Sequence, residues 1–279
     1  MKKYLLITLT VAALYNAPVM AQIKMPAPST TQTIEQEFGL GQIELVYSRP
    51  NIKGRTLLMP KSDLVPLGEL WRTGANAATR LHFSDKVAIG GHDVDSGSYV
   101  LYTIPNKNEW TIIINKGVKN WGTDYKIEED VFRITVPSMN YPCKEETFTM
   151  NFQNIKNESC DLQLVWGNTA VNIPITTKIV DRLRTQIESA LQGDKKPYQQ
   201  AANFYYEMDH NNAKALANIN KAIEQNQKAF WLYMLKARIQ KDMGDKAGAK
   251  ASAQQTITLA TEAKNIDYVN MAKDLINKN

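Results

Sequence analysis

The chain has 279 residues, with 33 Lys and Arg against 28 Asp and Glu, only two cysteines and three histidines. That length holds one large domain or two modest ones, and two cysteines exclude a disulfide-framed scaffold. The net charge of +5 does not mark a nucleic-acid binder: residues 22–177 carry 15 Lys and Arg against 17 Asp and Glu, residues 178–279 carry 16 against 11, and the excess spreads along helical faces without forming a tract.

Residues 1–21 read as a cleavable export signal. Lys2 and Lys3 form a charged start, residues 5–14 a short apolar run, and Val19-Met20-Ala21 a small-residue exit, with cleavage expected after Ala21. The apolar run is shorter than the roughly 20 residues that span a bilayer. No cysteine lies near the exit for lipid attachment, and no later segment is a transmembrane candidate. The expected location is the periplasm or the exterior.

From residue 31 to about 175 the pattern is strand after strand. Ile43, Leu45 and Tyr47 alternate with polar neighbours, as do Thr79, Leu81 and Phe83. Residues 99–104, a Pro-Asn-Lys-Asn turn and residues 110–114 read as a hairpin. Residues 131–136, then Phe148, Met150 and Phe152, then Leu162, Leu164 and Trp166, then Val171, Ile173 and Ile175 continue the alternation. Short runs parted by Gly, Pro, Asn and Asp predict an antiparallel sandwich or barrel. A hairpin turning near residues 155–157 sets Cys160 opposite about residue 152, not Cys143, which argues against a bridge, since bridged Cα atoms lie within about 7 Å. Cys160 shares a face with Leu162, Leu164 and Trp166 and reads as a small buried hydrophobe.

At residues 176–177 the period changes from 2 to 3.6. Thr176 or Thr177 is expected to cap a helix with the stripe Ile179, Val180, Leu183, Ile187, Ala190 and Leu191, which Gly193 stops. Pro197 suits the first turn of the next helix. Residues 215–223 then align with residues 249–257 at an offset of 34, and residues 198–208 with 230–243 at nearly the same offset. Gly244-Asp245 forms the inter-helix turn. A 34-residue helix-turn-helix period is the tetratricopeptide pattern, and the alternative is a generic pair of helical hairpins. The last helix, residues 267–276, would cap the array. The domains expected are therefore a signal at 1–21, an antiparallel β-sandwich at 22–176 and a tetratricopeptide-like α-helical array at 177–279.

No nucleophile elbow, phosphate loop, dinucleotide fingerprint, HExxH or CxxC pair is present. His82, His92 and His210 are far apart in sequence. Asp93-Val94-Asp95-Ser96-Gly97 looks like half of a calcium loop but lacks its later acidic ligand, and reads as a turn. No metal or cofactor is expected. One block stands out between the strands: Arg49-Pro50, Lys53-Gly54-Arg55 and Trp71-Arg72-Thr73-Gly74-Ala75-Asn76. A guanidinium fork suits planar anions, and Trp71, Trp121 and Tyr125 would supply flat faces for a sugar. The candidate ligand site is Arg49, Arg55, Trp71, Arg72, Asn76, Thr79, Trp121 and Tyr125. The alternative is structural: these arginines pair with Glu44, Glu69 and Asp85 and close strand ends.

The segments YSRPNIKGR (47–55), LVP with LGELWRTGANAATRLHFS (64–84), SGSYVLYTIPNKNEWTIIINK (96–116), WGTDY (121–125) and LQLVWGNTAVNIPI (162–175) resemble the bacterial domain-of-unknown-function family numbered 2911. The helical tail resembles the one that often follows this domain. The resemblance implies an exported protein, commonly of Bacteroidetes-type bacteria, and supplies no reaction. This chain departs from the family in having Ala77 where an acidic residue is usual after Gly-Ala-Asn, and Met59 and Leu67 where a Gly and an aromatic are usual. The leading expectation is a non-catalytic envelope binding or scaffolding module, with a small anionic or glycan ligand on the β domain and a protein partner on the helical repeats. The alternative is a hydrolase or isomerase acting on an envelope glycan through Arg49, Arg72 and Asn76, with Glu69, Asp85 or His82 standing in for the missing base.

Overall fold

The computed structural model describes residues 25–120 and 123–278. The expected export signal lies outside these residues. Nine antiparallel strands precede six helices: β1 (Thr30–Phe38), β2 (Gly41–Arg49), β3 (Thr79–Phe83), β4 (Val87–Ile89), β5 (His92–Val94), β6 (Gly97–Pro105), β7 (Glu109–Asn115), β8 (Asp130–Gln153) and β9 (Ser159–Thr176). Their order in the sheet is β1-β2-β3-β6-β7-β8-β9-β4-β5. The expected architecture, an antiparallel β domain followed by a helical array, is what the chain adopts.

Two strands are much longer than the sequence pattern indicated. The runs at 131–136 and 148–152 belong to one 24-residue strand, and those at 162–166 and 171–175 to one of 18 residues. Pro142 and Gly167 look like breaks but sit at register shifts, where β8 departs from regular pairing with β9 between Asn140 and Thr149. Such irregularities bend a strand without ending it. The first half of β8 pairs with β7 and the second half with β9. Asp93 lies in β5, where it pairs with Lys86 at 2.8 Å.

Because side chains alternate across a strand, Ile43 and Leu45 on β2, Leu81 and Phe83 on β3, Trp110 and Ile112 on β7, and Leu162, Leu164 and Trp166 on β9 fill one common core. The sheet folds over to enclose it. The chain leaving β2 meets the second half of β8 through Ile52 N–H to Glu146 O (2.9 Å) and Phe148 N–H to Pro50 O (2.8 Å). Tyr47 Oη accepts from Met150 N–H at 2.9 Å, and burial raises its pKa. The opposite face of β6 and β7 is covered separately: Val100, Tyr102 and Ile113 pack with Ala78, Val118 and Tyr125.

The first helix, α1 (Val180–Ala190), is not capped by Thr176 or Thr177. Its Ile179 and Val180 N–H groups donate to the Glu158 carboxylate, in the β8–β9 turn, at 2.6 and 3.1 Å, while Thr177 Oγ1 donates to Lys86 O. Glu158 satisfies two free N–H groups and places an anion at the positive end of the helix. Arg182 adds a bidentate pair with Asp85. The remaining helices are α2 (Tyr198–Glu207), α3 (Asn212–Gln225), α4 (Phe230–Asp242), α5 (Lys246–Glu262) and α6 (Ile266–Asn277).

The 34-residue offset is visible in their geometry. Asn211 caps α3 by accepting from Lys214 N–H (3.0 Å), and Asp245 caps α5 by accepting from Gly248 N–H (2.8 Å). The residues just before them, His210 and Gly244, are both left-handed, with φ of 52° and 81°. Buried positions recur at the same spacing: Tyr205 and Ile239, Ala215 and Ala249, Ile219 and Ala253, Ala222 and Thr256. Each helix packs on the next from α2 to α6, and α4 also touches both α2 and α6.

Candidate functional site

The segment around Trp71 folds onto itself and onto β6. Trp71 and Thr103 exchange two backbone hydrogen bonds, at 2.7 and 2.9 Å, and Thr79 N–H closes onto Arg72 O. Gly74 has φ of +156°, and a Cβ there would stand 3.0 Å from Ser48 O, so only glycine fits this approach. Thr79 is fully buried and donates to Thr73 O at 2.5 Å. Trp71 is 9% exposed. Its indole N–H donates to Gly74 O, and its ring stacks on Trp166 (5.7 Å between centroids) and meets Phe148 edge-on at 4.8 Å. Trp71 is thus the centre of the core and offers a sugar no open face. Nothing in its neighbours' polarity announced this, because the ring points away from them.

The other candidates are distributed. Arg49, half-buried, donates from Nε to Phe148 O (3.1 Å) and from Nη2 to Thr149 Oγ1 (2.8 Å), tying β2 to β8. Arg72 is half-buried, and its Nε has no hydrogen-bond partner among the described residues. Asn76 is exposed and donates to Ser29 O at 3.1 Å. Tyr125 lies across the sheet from the Trp71 core. Its hydroxyl donates to Asp130 Oδ2 (2.7 Å) and accepts from Arg133; burial first, then Asp130, pushes its pKa up to about 12. Trp121 lies outside the described residues. Of the partners that the sequence offered for the arginines, Asp85 binds Arg182, and neither Glu44 nor Glu69 is in an ion pair among the described residues. His82 Nδ1 is 2.9 Å from Ser98 Oγ. Arg72, Asn76 and His82 therefore have separate surroundings.

Arg55 is the candidate that borders a cavity. Its Nε and Nη2 donate to Ile52 O (3.1 Å) and Asn51 O (2.7 Å), which holds the side chain in place. The cavity, of about 330 Å³, is floored by Ile52, Leu57 and Trp166 and flanked by Lys144 and Asn168. Gly167 keeps it open: its φ is +58°, and a Cβ there would lie 3.2 Å from Leu57 Cδ2. Neither Arg55 nor Lys144 is in an ion pair among the described residues. Two cations over an apolar floor suit an anion with an apolar body. Lys144 and Trp166 were missed from sequence because no spacing links them to Arg55.

Elsewhere, Cys143 is exposed and Cys160 buried, both as free thiols, and burial pushes Cys160 up to about 11. A cavity of about 280 Å³ at the start of α1 is lined by two ion pairs, Lys86 with Asp93 and Arg182 with Asp85, and by Lys178. On the helices, two clefts sharing Met234 and Arg238 run across α2, α4 and α6. Among the described residues no group of His, Cys, Asp and Glu is arranged to hold a metal, and no helix is long and apolar enough to cross a membrane.

A family model described as a protein of unknown function, DUF2911, matches residues 29–175. No curated protein matches the chain.

Proposed function

Since the chain belongs to the DUF2911 family, whose function is unknown, we propose that it is a non-catalytic binding and scaffolding protein of the bacterial envelope, periplasmic or secreted after removal of residues 1–21. The observation that carries this reading is the cavity beside Arg55 and Lys144, where fixed positive charge overlies Ile52, Leu57 and Trp166. It supports a small carboxylate or other anion with an apolar or sugar body. Arg49 and Asn76 are committed to the fold by their bonds to Phe148, Thr149 and Ser29. Ala77, next to Asn76 in the chain, supplies no general base. The catalytic alternative keeps one support, the unpartnered Nε of Arg72.

The second half of the proposal is that the helices form a tetratricopeptide-like array that docks a protein partner along α2, α4 and α6. Trp231 is exposed on this face, and among the described residues Arg238 donates to Met271 Sδ alone, at 3.7 Å. Calorimetric titration of residues 22–279 with acetate, hexanoate, benzoate, glucuronate and inorganic phosphate tests the β-domain half. Binding should favour benzoate and hexanoate over acetate. It should weaken by about tenfold in Arg55→Gln or Lys144→Gln, the loss of one charge-assisted contact. Equal binding by both variants and the parent would remove this cavity as the site. Turnover of a glycan abolished by Arg72→Lys would favour the catalytic alternative.

A further inference from the structure

We propose that two copies of the chain associate through β1, extending their sheets into one antiparallel sheet across a twofold axis at Ile34. Among the described residues β1 is one end of the sheet and pairs with β2 alone, over all nine of its residues. The closing pair of this hairpin is Phe38 and Gly41, around the two-residue turn Gly39-Leu40. The pair that flanks such a turn exchanges hydrogen bonds, and the pattern then alternates along the strand. Thr31, Thr33, Glu35 and Glu37 therefore turn their N–H and C=O groups away from β2. The Gln36 side chain donates to Glu37 O at 2.9 Å, which marks that carbonyl as facing outward. No other backbone bond is made to this edge among the described residues.

Edges of this length are usually blunted by Lys, Pro, a bulge or brevity. The opposite end of the sheet, β5, is three residues long. β1 has no Lys, Pro or bulge and is nine residues long, and the charges it carries are Glu35 and Glu37: it is TTQTIEQEF in unbroken register. Its sequence is self-complementary when reversed about Ile34. Thr33 then faces the second copy's Glu35, Thr31 faces Glu37, and Gln32 faces Gln36, so no like charges stand directly opposite. The outward-turned residues fall against one another in this register, so each donates and accepts one backbone bond. The side-chain faces also match, with Ile34 on the core side meeting Ile34. An interface of this kind uses the same patch on both copies and closes as a dimer. The one like-charge approach is the diagonal between the two Glu35 carboxylates, which salt screens.

Sedimentation equilibrium of residues 22–279 across a concentration series reads the association directly. The expected result is a reversible dimer that tightens with added salt. Thr33→Glu places a carboxylate opposite Glu35 twice per dimer and should weaken it about tenfold, while Thr33→Lys should tighten it severalfold. Adding Glu35→Lys to Thr33→Glu should restore the dimer, a rescue that only this register provides. All these side chains are on the exposed face of β1, and a thermal melt of each variant verifies folding. A chain that stays monomeric at its highest soluble concentration overturns the proposal. So does a dimer that ignores the charge changes, which would have to form through another surface.

Discussion

The β domain and the helical array solve the burial problem in opposite ways. The β core is built from large rings brought together from distant parts of the chain: Trp71, Trp110, Phe148 and Trp166 touch within one cluster. The helices set small residues at their contacts, with Ala215, Ala249, Ala253 and Ala272 fully enclosed, and place larger ones such as Tyr205, Ile219 and Ile239 between them. Large rings confer stability in few places and make those places fragile. Small residues allow close backbone approach and spread the stability over many modest contacts.

The largest expected effect tests the first half of that contrast. Trp71→Ala should destabilise the β domain by about 3–5 kcal/mol, seen as a lost or strongly lowered first transition in calorimetry. The helical signal should survive if the two regions unfold separately. Glu158→Ala should cost about 1–2 kcal/mol, by removing the acceptor for two α1 N–H groups. Hydrogen exchange should then accelerate at residues 179–183 while residues 215–260 stay protected. Asn211→Ala should cost about 1 kcal/mol as the loss of a cap, and Asp245→Asn, which keeps an acceptor for the buried Gln240 amide, should cost less than Asp245→Ala. In chemical denaturation a larger loss in Asp245→Ala than in Asn211→Ala is the expected order, and the reverse order would count against the Gln240 bond.

The smallest effect is at alkaline pH. Tyr125 in the β domain and Tyr206 on α2 are each pushed up to about 12, by burial and then by Asp130 and Asp242 respectively. A raised folded pKa means that the folded state holds its proton longer. The associated stability is fully present below the unfolded value near 10 and is lost as pH rises through about 12. Both phenols are partly exposed, so each contributes under about 1 kcal/mol. Tyr125→Phe and Tyr206→Phe should each flatten the decline in melting temperature between pH 10 and 12. An unchanged slope in Tyr125→Phe would remove its titration as a contributor to that decline.

The two regions also differed in how far the sequence revealed them. Alternation exposed the inward sets on β2, β3, β9 and the second half of β8, and the left-handed residue plus cap at 210–211 and 244–245 follows the 34-residue offset. What stayed hidden depended on contacts distant in sequence. Pro142 and Gly167 looked like strand ends because the bend of β8 is a property of its pairing with β9. Thr176 and Thr177 had the right chemistry for a cap, but Glu158 reaches the helix first from a neighbouring turn. The arginine block contained the residue that borders the β-domain cavity, Arg55, yet its other wall comes from Lys144 and Trp166, about a hundred residues onward.

The Glu158 bond means that the chain cannot be divided cleanly where its periodicity changes. A fragment beginning at residue 177 would start α1 with bare N–H groups and leave Arg182 without Asp85. A fragment ending at residue 176 would strand a carboxylate that had two donors. Synthesis runs from the N-terminus, so the β8–β9 turn exists before α1 does. The β domain acts as the template on which the helical array begins.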